Sequence, residues 1–388
     1  MYDTVEMMTA NLIALSALLV WIYLVAARGG FWLAKDREPE AAAPSAWVSV
    51  AVVIPARNEA EGIGEAIQSL LRQDYPGALS IVVVDDQSTD GTADAARHAA
   101  EAAGGMDRVI ILSGTPLPNG WTGKIWALKQ GIDHAQKSAP GYVLLTDADI
   151  VYARGALTGL VSSSLAGGLV LNSRMVKLRC ESFAERALIP AFIFFFQMLF
   201  PFAWVRRQDR VTAAAAGGCM LVRLDELRAA GGIEAIRGEL IDDCALASAM
   251  KQRGPILLAL TEGIRSIRAY PKISDIRLMV VRSAYAQLRY SPLILAGTVA
   301  GMTLTYIAPV AFALFGQGIA QVLGFLTWGI MAIAFQPTLR LYRLSPLWGL
   351  LLPAIALCYM AFTLDSAYQN VFGRGGLWKG RVQAKKTG

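Results

Sequence analysis

No charged residue interrupts the run from Met8 to Ala27. Its length, about twenty residues, is what a helix needs to cross the hydrocarbon core of a bilayer. A secretory signal is the competing reading. Against it, the leading segment holds Asp3 and Glu6 rather than a basic stretch, and no small-residue cleavage pattern follows closely. Arg28, Lys35 and Arg37 come after the run. By the positive-inside rule, they assign the chain that follows to the cytoplasm. The expectation is an N-terminal transmembrane anchor over 1–28 and a linker over 29–47, with Glu38–Pro44 rich in Ala and Pro.

Composition agrees with a membrane protein. Of 388 residues, 55% are hydrophobic and 17% charged, and the mean hydropathy is +0.43. That is too apolar for an ordinary soluble enzyme of this length. The net charge of +6 fits basic flanks on membrane segments. No basic stripe interleaves with aromatics, so no nucleic-acid partner is expected. Cys180, Cys219, Cys244 and Cys358 are scattered without a C-x-x-C pair, and His98 and His134 are the two histidines. This excludes a disulfide framework and a zinc site, and it argues against a histidine-based triad. The chemistry must rest on carboxylates.

Between about Val48 and Tyr270 the pattern changes to short β-branched runs alternating with helical apolar spacing. Val48–Ile54, Ser80–Val84, Val109–Leu112 and Tyr142–Thr146 read as buried parallel strands. Glu61–Arg72 and Thr92–Ala103 read as helices between them. Such alternation predicts a doubly wound α/β sheet with its ligand crevice at the carboxyl ends of the strands. Ala187–Val205 is apolar and Phe-rich but broken by Pro190, Gln197 and Pro201, and Arg186 and Arg206–Arg207 flank it. It is expected to lie in the membrane interface, because crossing would split the catalytic domain, 48–285, between two sides. A merely buried helix is the alternative. Leu293–Phe315, Ile319–Phe335 and Leu347–Leu364 form C-terminal membrane segments within 286–366. A basic tail, 367–388, carries Arg374, Lys379, Arg381, Lys385 and Lys386. Three full crossings would put that tail outside, so one segment being re-entrant remains open.

Three acidic clusters fall in the predicted crevice. Asp85-Asp86-Gln-Ser-Thr-Asp90-Gly91-Thr92 follows a strand and opens a helix whose first N–H groups are unpaired. It imitates a calcium loop, but Arg97 occupies the last ligand position and a strand precedes it, so that reading fails; a capped surface turn stays open. Asp147-Ala-Asp149 follows an apolar strand. If it stays extended, both carboxylates face one ligand, and hard oxygens suit Mg²⁺ or Mn²⁺ shared with a diphosphate. Surface turns produce the same pattern. Asp242-Asp243 precedes a helical stretch, where acids favour the helix dipole. The functional alternative is a general base. Lys124, in Gly120-Trp-Thr-Gly-Lys124, is a candidate for phosphate charge, with glycines allowing close backbone approach.

Together these motifs resemble the family 2 glycosyltransferases of the GT-A fold. The resemblance is carried by Val53-Ile-Pro-Ala-Arg-Asn-Glu59, by Val84-Asp-Asp86 with Ser88, Asp90 and Gly91, by Asp147-Ala-Asp149 and by Asp242-Asp243. Gln287-Leu-Arg289-Tyr290 sits near the family's Q-x-x-R-W element, with Ala286 and Tyr290 in place of its Gln and Trp. Trp121-Thr-Gly-Lys124, Leu145–Ile150, Leu240–Leu246, Ala286–Pro292 and Leu377–Arg381 are similar to the hopanoid-biosynthesis-associated branch in bacteria. The resemblance implies a GT-A-type mixed sheet with membrane helices at both ends, in the bacterial inner membrane with the catalytic domain facing the cytoplasm. It implies a UDP-sugar donor held by Pro55, Asn58, Glu59, Asp86 and Asp147, and a lipid acceptor. Asp149, helped by Asp147, would bind a divalent cation, Arg289 would add charge near the diphosphate, and Asp243 would be the base of an inverting transfer. A processive polysaccharide synthase is the enzymatic alternative, and a non-catalytic nucleotide-sugar sensor the non-enzymatic one. A transporter is disfavoured because the C-terminal segments offer few polar residues, chiefly Gln321 and Asp365 near their ends.

Overall fold

The computed structural model describes residues 2–372, 377–378 and 381–382. Its chain divides into two compact units. Among the described residues, one holds 36–179, 204–269, 377–378 and 381–382; the other holds α1 (Tyr2–Ala27) and the chain to Lys35, residues 180–203 and residues 270–372.

The first unit is built on an eight-stranded mixed sheet. Its strands are β1 (Val50–Ala56), β2 (Leu79–Asp85), β3 (Val109–Ser113), β4 (Tyr142–Thr146), β5 (Ile150–Tyr152), β6 (Leu171–Lys177), β7 (Cys219–Arg223) and β8 (Ile256–Ser266). Their order in the sheet is β3-β2-β1-β4-β7-β6-β8-β5. β1 runs parallel to β2 and β4, and β2 parallel to β3. This is the doubly wound half that the strand–helix alternation predicts. Beyond β4 the sheet turns mixed, since β7 pairs antiparallel with β4 and β6, and β5 antiparallel with β8.

Both faces of the parallel half are covered, which is why its strands are continuously apolar. Val50, Val52 and Ile54 of β1 pack against Ile63, Ile67 and Leu70 of α2 (Ile63–Leu71), beside Ala96 and Ala100 of α3 (Thr92–Ala102) and Leu157 and Leu160 of α5 (Ala156–Ala166). Val53 points to the other face, toward α4 (Gly123–Ala135). There a Cβ on Gly131 would sit 2.3 Å from Val53 Cγ1. Only glycine lets α4 approach β1 this closely, and that seats the start of α4 beside the strand ends.

The linker is more ordered than its Ala/Pro composition suggests. Asp36 O accepts from Leu260 N at 2.8 Å, Arg37 bridges to β8 in parallel, and Arg37 pairs with Glu262 at 3.3 Å. β5 is three residues long and pairs with β8 only over Ile264–Ser266. β5 covers only one end of that edge, and Asp36–Arg37 occupies another part of it at Leu260.

The second unit is helical. Five helices among the described residues are long and apolar enough to cross a membrane: Thr4–Ala27, Phe183–Val205, Pro292–Phe315, Gly318–Leu341 and Pro346–Val371. The first corresponds to the expected anchor and the last three to the expected C-terminal segments. Phe183–Val205 contains the segment expected at the interface. Its main helix, α6 (Phe183–Leu199), starts four residues earlier than expected because Ser182 and Glu185 form a reciprocal capping box, and it carries Pro190 internally. Its apolar window is 56% buried, against 11% for Pro292–Phe315, so much of its surface already has protein neighbours. Residues 270–285, expected in the catalytic domain, belong to this helical unit. Of the basic tail, Arg374, Lys379, Lys385 and Lys386 lie outside the described residues.

Candidate functional site

The carboxyl ends of β1, β2 and β4 converge on one region of the sheet unit. After β1 and β2 the chain makes two tight loops that hold each other. Asn58 has φ +51° and Gln87 φ +57°, left-handed positions that let the backbone turn sharply. Asn58 N donates to Ser88 Oγ at 2.9 Å, and Asn58 Oδ1 accepts from Thr89 N at 2.9 Å. Glu59 N donates to Thr92 Oγ1 at 2.9 Å, and Ala60 N to Asp90 Oδ2 at 3.0 Å. The polar residues of the Asp85–Thr92 motif thus tie the two loops together. Pro55 lies within β1, its Cα paired with that of Val84. Asp86 is fully buried; its N–H donates to Ala56 O at 2.8 Å, and Arg57 approaches its Oδ2 to 3.8 Å.

Gly114, just past β3, was not singled out in the sequence. A Cβ there would lie 2.9 Å from Asp85 O and 3.0 Å from Asp86 Cα, so a side chain would displace the β2 loop. Its signal is weak: one glycine after an apolar strand.

Lys124, in the first turn of α4, joins two acidic clusters. Its Nζ lies 2.8 Å from Asp147 Oδ1 and 3.5 Å from Asp242 Oδ2. Burial alone would lower the lysine pKa, but Asp147, Asp242 and Asp243 reverse that and raise it, so the ammonium form is firmly held. Asp242 and Asp243 occupy the first turn of the helix Asp242–Lys251. Asp243 Oδ2 accepts from Gly217 N at 3.0 Å and Oδ1 from Cys244 N at 2.7 Å. Burial and the neighbouring Asp242 push the Asp243 carboxyl up to about 6, against the opposing pull of Lys124 and the two N–H groups. A carboxyl with a pKa near neutrality is suited to accept a proton.

Gly217 is a second residue the sequence reading missed. A Cβ there would meet Lys124 Nζ at 3.2 Å and Asp243 Oδ2 at 3.5 Å. The Gly217-Gly218 pair after the Ala213–Ala216 run is the signal available for it. Gly218 O also accepts from Thr146 Oγ1 at 2.8 Å, joining this loop to the end of β4.

Asp147-Ala-Asp149 departs from the extended geometry expected for it. Asp147 leaves β4, and Ala148 and Asp149 form a turn before β5. The two carboxylates therefore take different partners. Asp147 meets Lys124, whereas Asp149 Oδ2 accepts from Ser266 Oγ at 2.6 Å and Arg268 Nε at 3.2 Å. Arg268 also grips Glu59, its Nη2 lying 2.7 Å from both carboxylate oxygens. Neither Ser266 nor Arg268 was anticipated; both lie at or past the end of β8, far along the chain from the acids they hold. Arg289 lies in the helical unit, in a left-handed position with φ +53° after the short helix Ala284–Gln287.

Among the described residues no group of three or more His, Cys, Asp or Glu forms a metal cage. A cation shared with a diphosphate needs none, since Mg²⁺ typically takes one or two carboxylates, substrate phosphate and water. Asp147 and Asp149 supply hard oxygens of that kind, so the donor set fits such an ion.

Comparison with known proteins gives an independent view. Residues 51–228 match the model for "Glycosyl transferase family 2". Over 106 residues the chain is 35% identical to the 4,4'-diaponeurosporenoate glycosyltransferase of Staphylococcus aureus (strain bovine RF122 / ET3-1), covering 27% of this chain and 25% of that one. The USA300 form is 34% identical over the same lengths. The chain thus matches about a quarter of the length of these relatives. Among solved structures, mannosyltransferase PcManGT from Pyrobaculum calidifontis, in complex with GDP-Man and Mn²⁺, aligns with a TM-score of 0.58 and 21% identity. The alignment covers 94% of this chain and 99% of that one. That likeness concerns the fold, which in this chain is a GT-A-like mixed sheet with apolar helices toward both ends.

Proposed function

We propose that this chain is a membrane-bound inverting glycosyltransferase that moves a sugar from a nucleotide-sugar, a UDP-sugar in our reading, to a lipid acceptor. The observation that carries the reading is the position of Lys124 between Asp147 and Asp242, beside Asp243 with its near-neutral carboxyl. The family match over residues 51–228 supports the reaction class. The relative named for 4,4'-diaponeurosporenoate supports a lipid acceptor. The five apolar helices support a site supplied from a bilayer. A hopanoid alcohol as acceptor, and a bacterial inner-membrane location with the sheet unit in the cytoplasm, complete the reading on the motif resemblance and the charges after the first helix.

In this account the loops after β1 and β2, with Pro55, Asn58, Glu59 and Asp86, shape the nucleotide pocket. Asp147 and Asp149 would hold a divalent cation, which supplies Lewis-acid neutralisation of the leaving diphosphate. Lys124 adds fixed positive charge beside Asp147; a role for Arg289 near the diphosphate is drawn from the motif resemblance alone. Asp243 takes the proton of the acceptor hydroxyl as that oxygen bonds to the anomeric carbon. The bond from that carbon to the diphosphate oxygen breaks, the nucleoside diphosphate leaves, and configuration inverts once. The Gly217 and Cys244 N–H groups hold the base in place for this transfer.

Incubating purified protein with UDP- and GDP-sugars and a lipid extract tests the reading, with products identified by mass spectrometry. A glycolipid of inverted configuration supports it. A nucleotide-sugar sensor instead binds donor without forming product, and a processive synthase yields long polysaccharide.

A further inference from the structure

Glu59 and Asp149 are read above as a nucleotide contact and a cation ligand, yet both carboxylates are engaged by one guanidinium. Arg268 Nη2 lies 2.7 Å from each oxygen of Glu59, and its Nε lies 3.2 Å from Asp149 Oδ2. The three side chains come from different segments: the loop after β1, the turn after β4 and the chain just past β8. Their side chains are 13%, 11% and 31% exposed for Glu59, Asp149 and Arg268. They are shielded enough for the contacts to persist and open enough for a ligand to reach them.

Asp149 is fixed from the β8 side three times over. Ser266 Oγ donates to Oδ2 at 2.6 Å, Arg268 Nε donates to the same oxygen, and Ile267 N donates to Asp149 O at 3.0 Å. Arg268 N in turn donates to Ser266 Oγ at 3.2 Å. All of these side-chain contacts use Oδ2, which aims the other oxygen, Oδ1, in one direction before any ligand arrives. A planar guanidinium keeps its donors in a rigid fork, so the Glu59 contact also sets the angle at which Nε meets Asp149.

We infer that Arg268 is a positioning residue that couples the nucleotide loop to the cation site: Glu59 orients Arg268, and Arg268 orients Asp149. Glu59 therefore acts on the cation at one remove, through Arg268. The inference rests on the proposed function and extends it to residues outside the recognised motifs.

The test is Mn²⁺ binding, followed by electron paramagnetic resonance on full-length protein in detergent with saturating UDP or, in parallel, GDP. Arg268→Gln is expected to weaken Mn²⁺ binding by roughly 10- to 100-fold, the usual loss when a ligand's supporting partner is removed. Glu59→Gln should weaken it in the same direction, and the double variant should be no weaker than Arg268→Gln alone, because both act along one chain of contacts. Arg268→Lys should recover part of the affinity, since one ammonium cannot serve both acids at once. If Arg268→Gln fails to fold, Arg268→Lys, alone and combined with Glu59→Gln, provides the same comparison. Unchanged Mn²⁺ affinity in folded variants, or multiplicative losses in the double variant, would overturn the coupling. Wild-type protein that binds nucleotide without Mn²⁺ overturns this inference alone; protein that binds neither nucleotide overturns the reading beneath it.

Discussion

Lys124 Nζ lies 2.8 Å from Asp147 Oδ1, which joins the first turn of α4 to the end of β4. The same nitrogen faces Asp242 at 3.5 Å, so one cation holds together acids nearly a hundred positions apart in the chain. The consequences for catalysis follow from what surrounds it.

Asp243→Asn keeps the shape of the side chain and removes its ability to take a proton. Turnover should fall by about 10²- to 10⁴-fold, the usual contribution of a positioned general base. Nucleotide affinity, measured by calorimetry, should stay close to wild type. Near-normal turnover would remove Asp243 from the mechanism.

The pH dependence has a definite sign. The Asp243 carboxyl is raised to about 6, and the base must be ionised, so activity should rise through about pH 6 and then level off. Stability runs the other way. A carboxyl with a folded pKa above its unfolded value contributes stability that is fully present below about pH 4 and lost as pH rises through about 6. At pH 7.5, Asp243→Asn should therefore melt at a higher temperature than wild type while losing activity. Thermal unfolding at pH 4.5 and pH 7.5 checks this, since the gain should shrink at the lower pH.

Lys124→Met removes the charge that opposes the rise at Asp243. The acid limb of the pH–rate profile should move upward by on the order of one pH unit. The variant should also be less stable at neutral pH, because three neighbouring carboxylates lose their counter-charge. An unmoved acid limb would mean that Lys124 does not act on the base.

Gly217→Ala places a methyl group against Lys124 Nζ and Asp243 Oδ2, at 3.2 and 3.5 Å from the new carbon. The lysine must shift by a few tenths of an ångström. Small displacements of catalytic groups cost up to roughly 10²-fold in rate, so kcat should drop well before the melting temperature does. Steady-state kinetics alongside calorimetry separates the two.

Much of the fold was legible because buried parallel strands and amphipathic helices leave strong periodic signals. The apolar run Tyr142–Thr146 matches β4 to the residue, and the three acidic clusters stand in one sheet unit. What escaped was set by tertiary contact. The turn at Asp147–Asp149 parts two carboxylates that an extended strand would have kept on one face; Ser266 and Arg268 hold one of them, Lys124 the other. Arg268 carries no local pattern, since its partners lie 119 and 209 positions away. Gly217 and Gly114 matter through the close approach of backbone to side chain or to another strand's end, which a single sequence does not encode. The linker's place on β8 depends on the shortness of β5.

The most direct test of the central claim is transfer itself. Purified protein is given a nucleotide-sugar labelled in the sugar, together with a bacterial lipid extract, and label in the organic phase is counted for wild type and Asp243→Asn. The account predicts that label enters lipid with wild type and falls by at least about a hundredfold with the variant. Label that stays with the nucleotide, or equal transfer by both proteins, would contradict it.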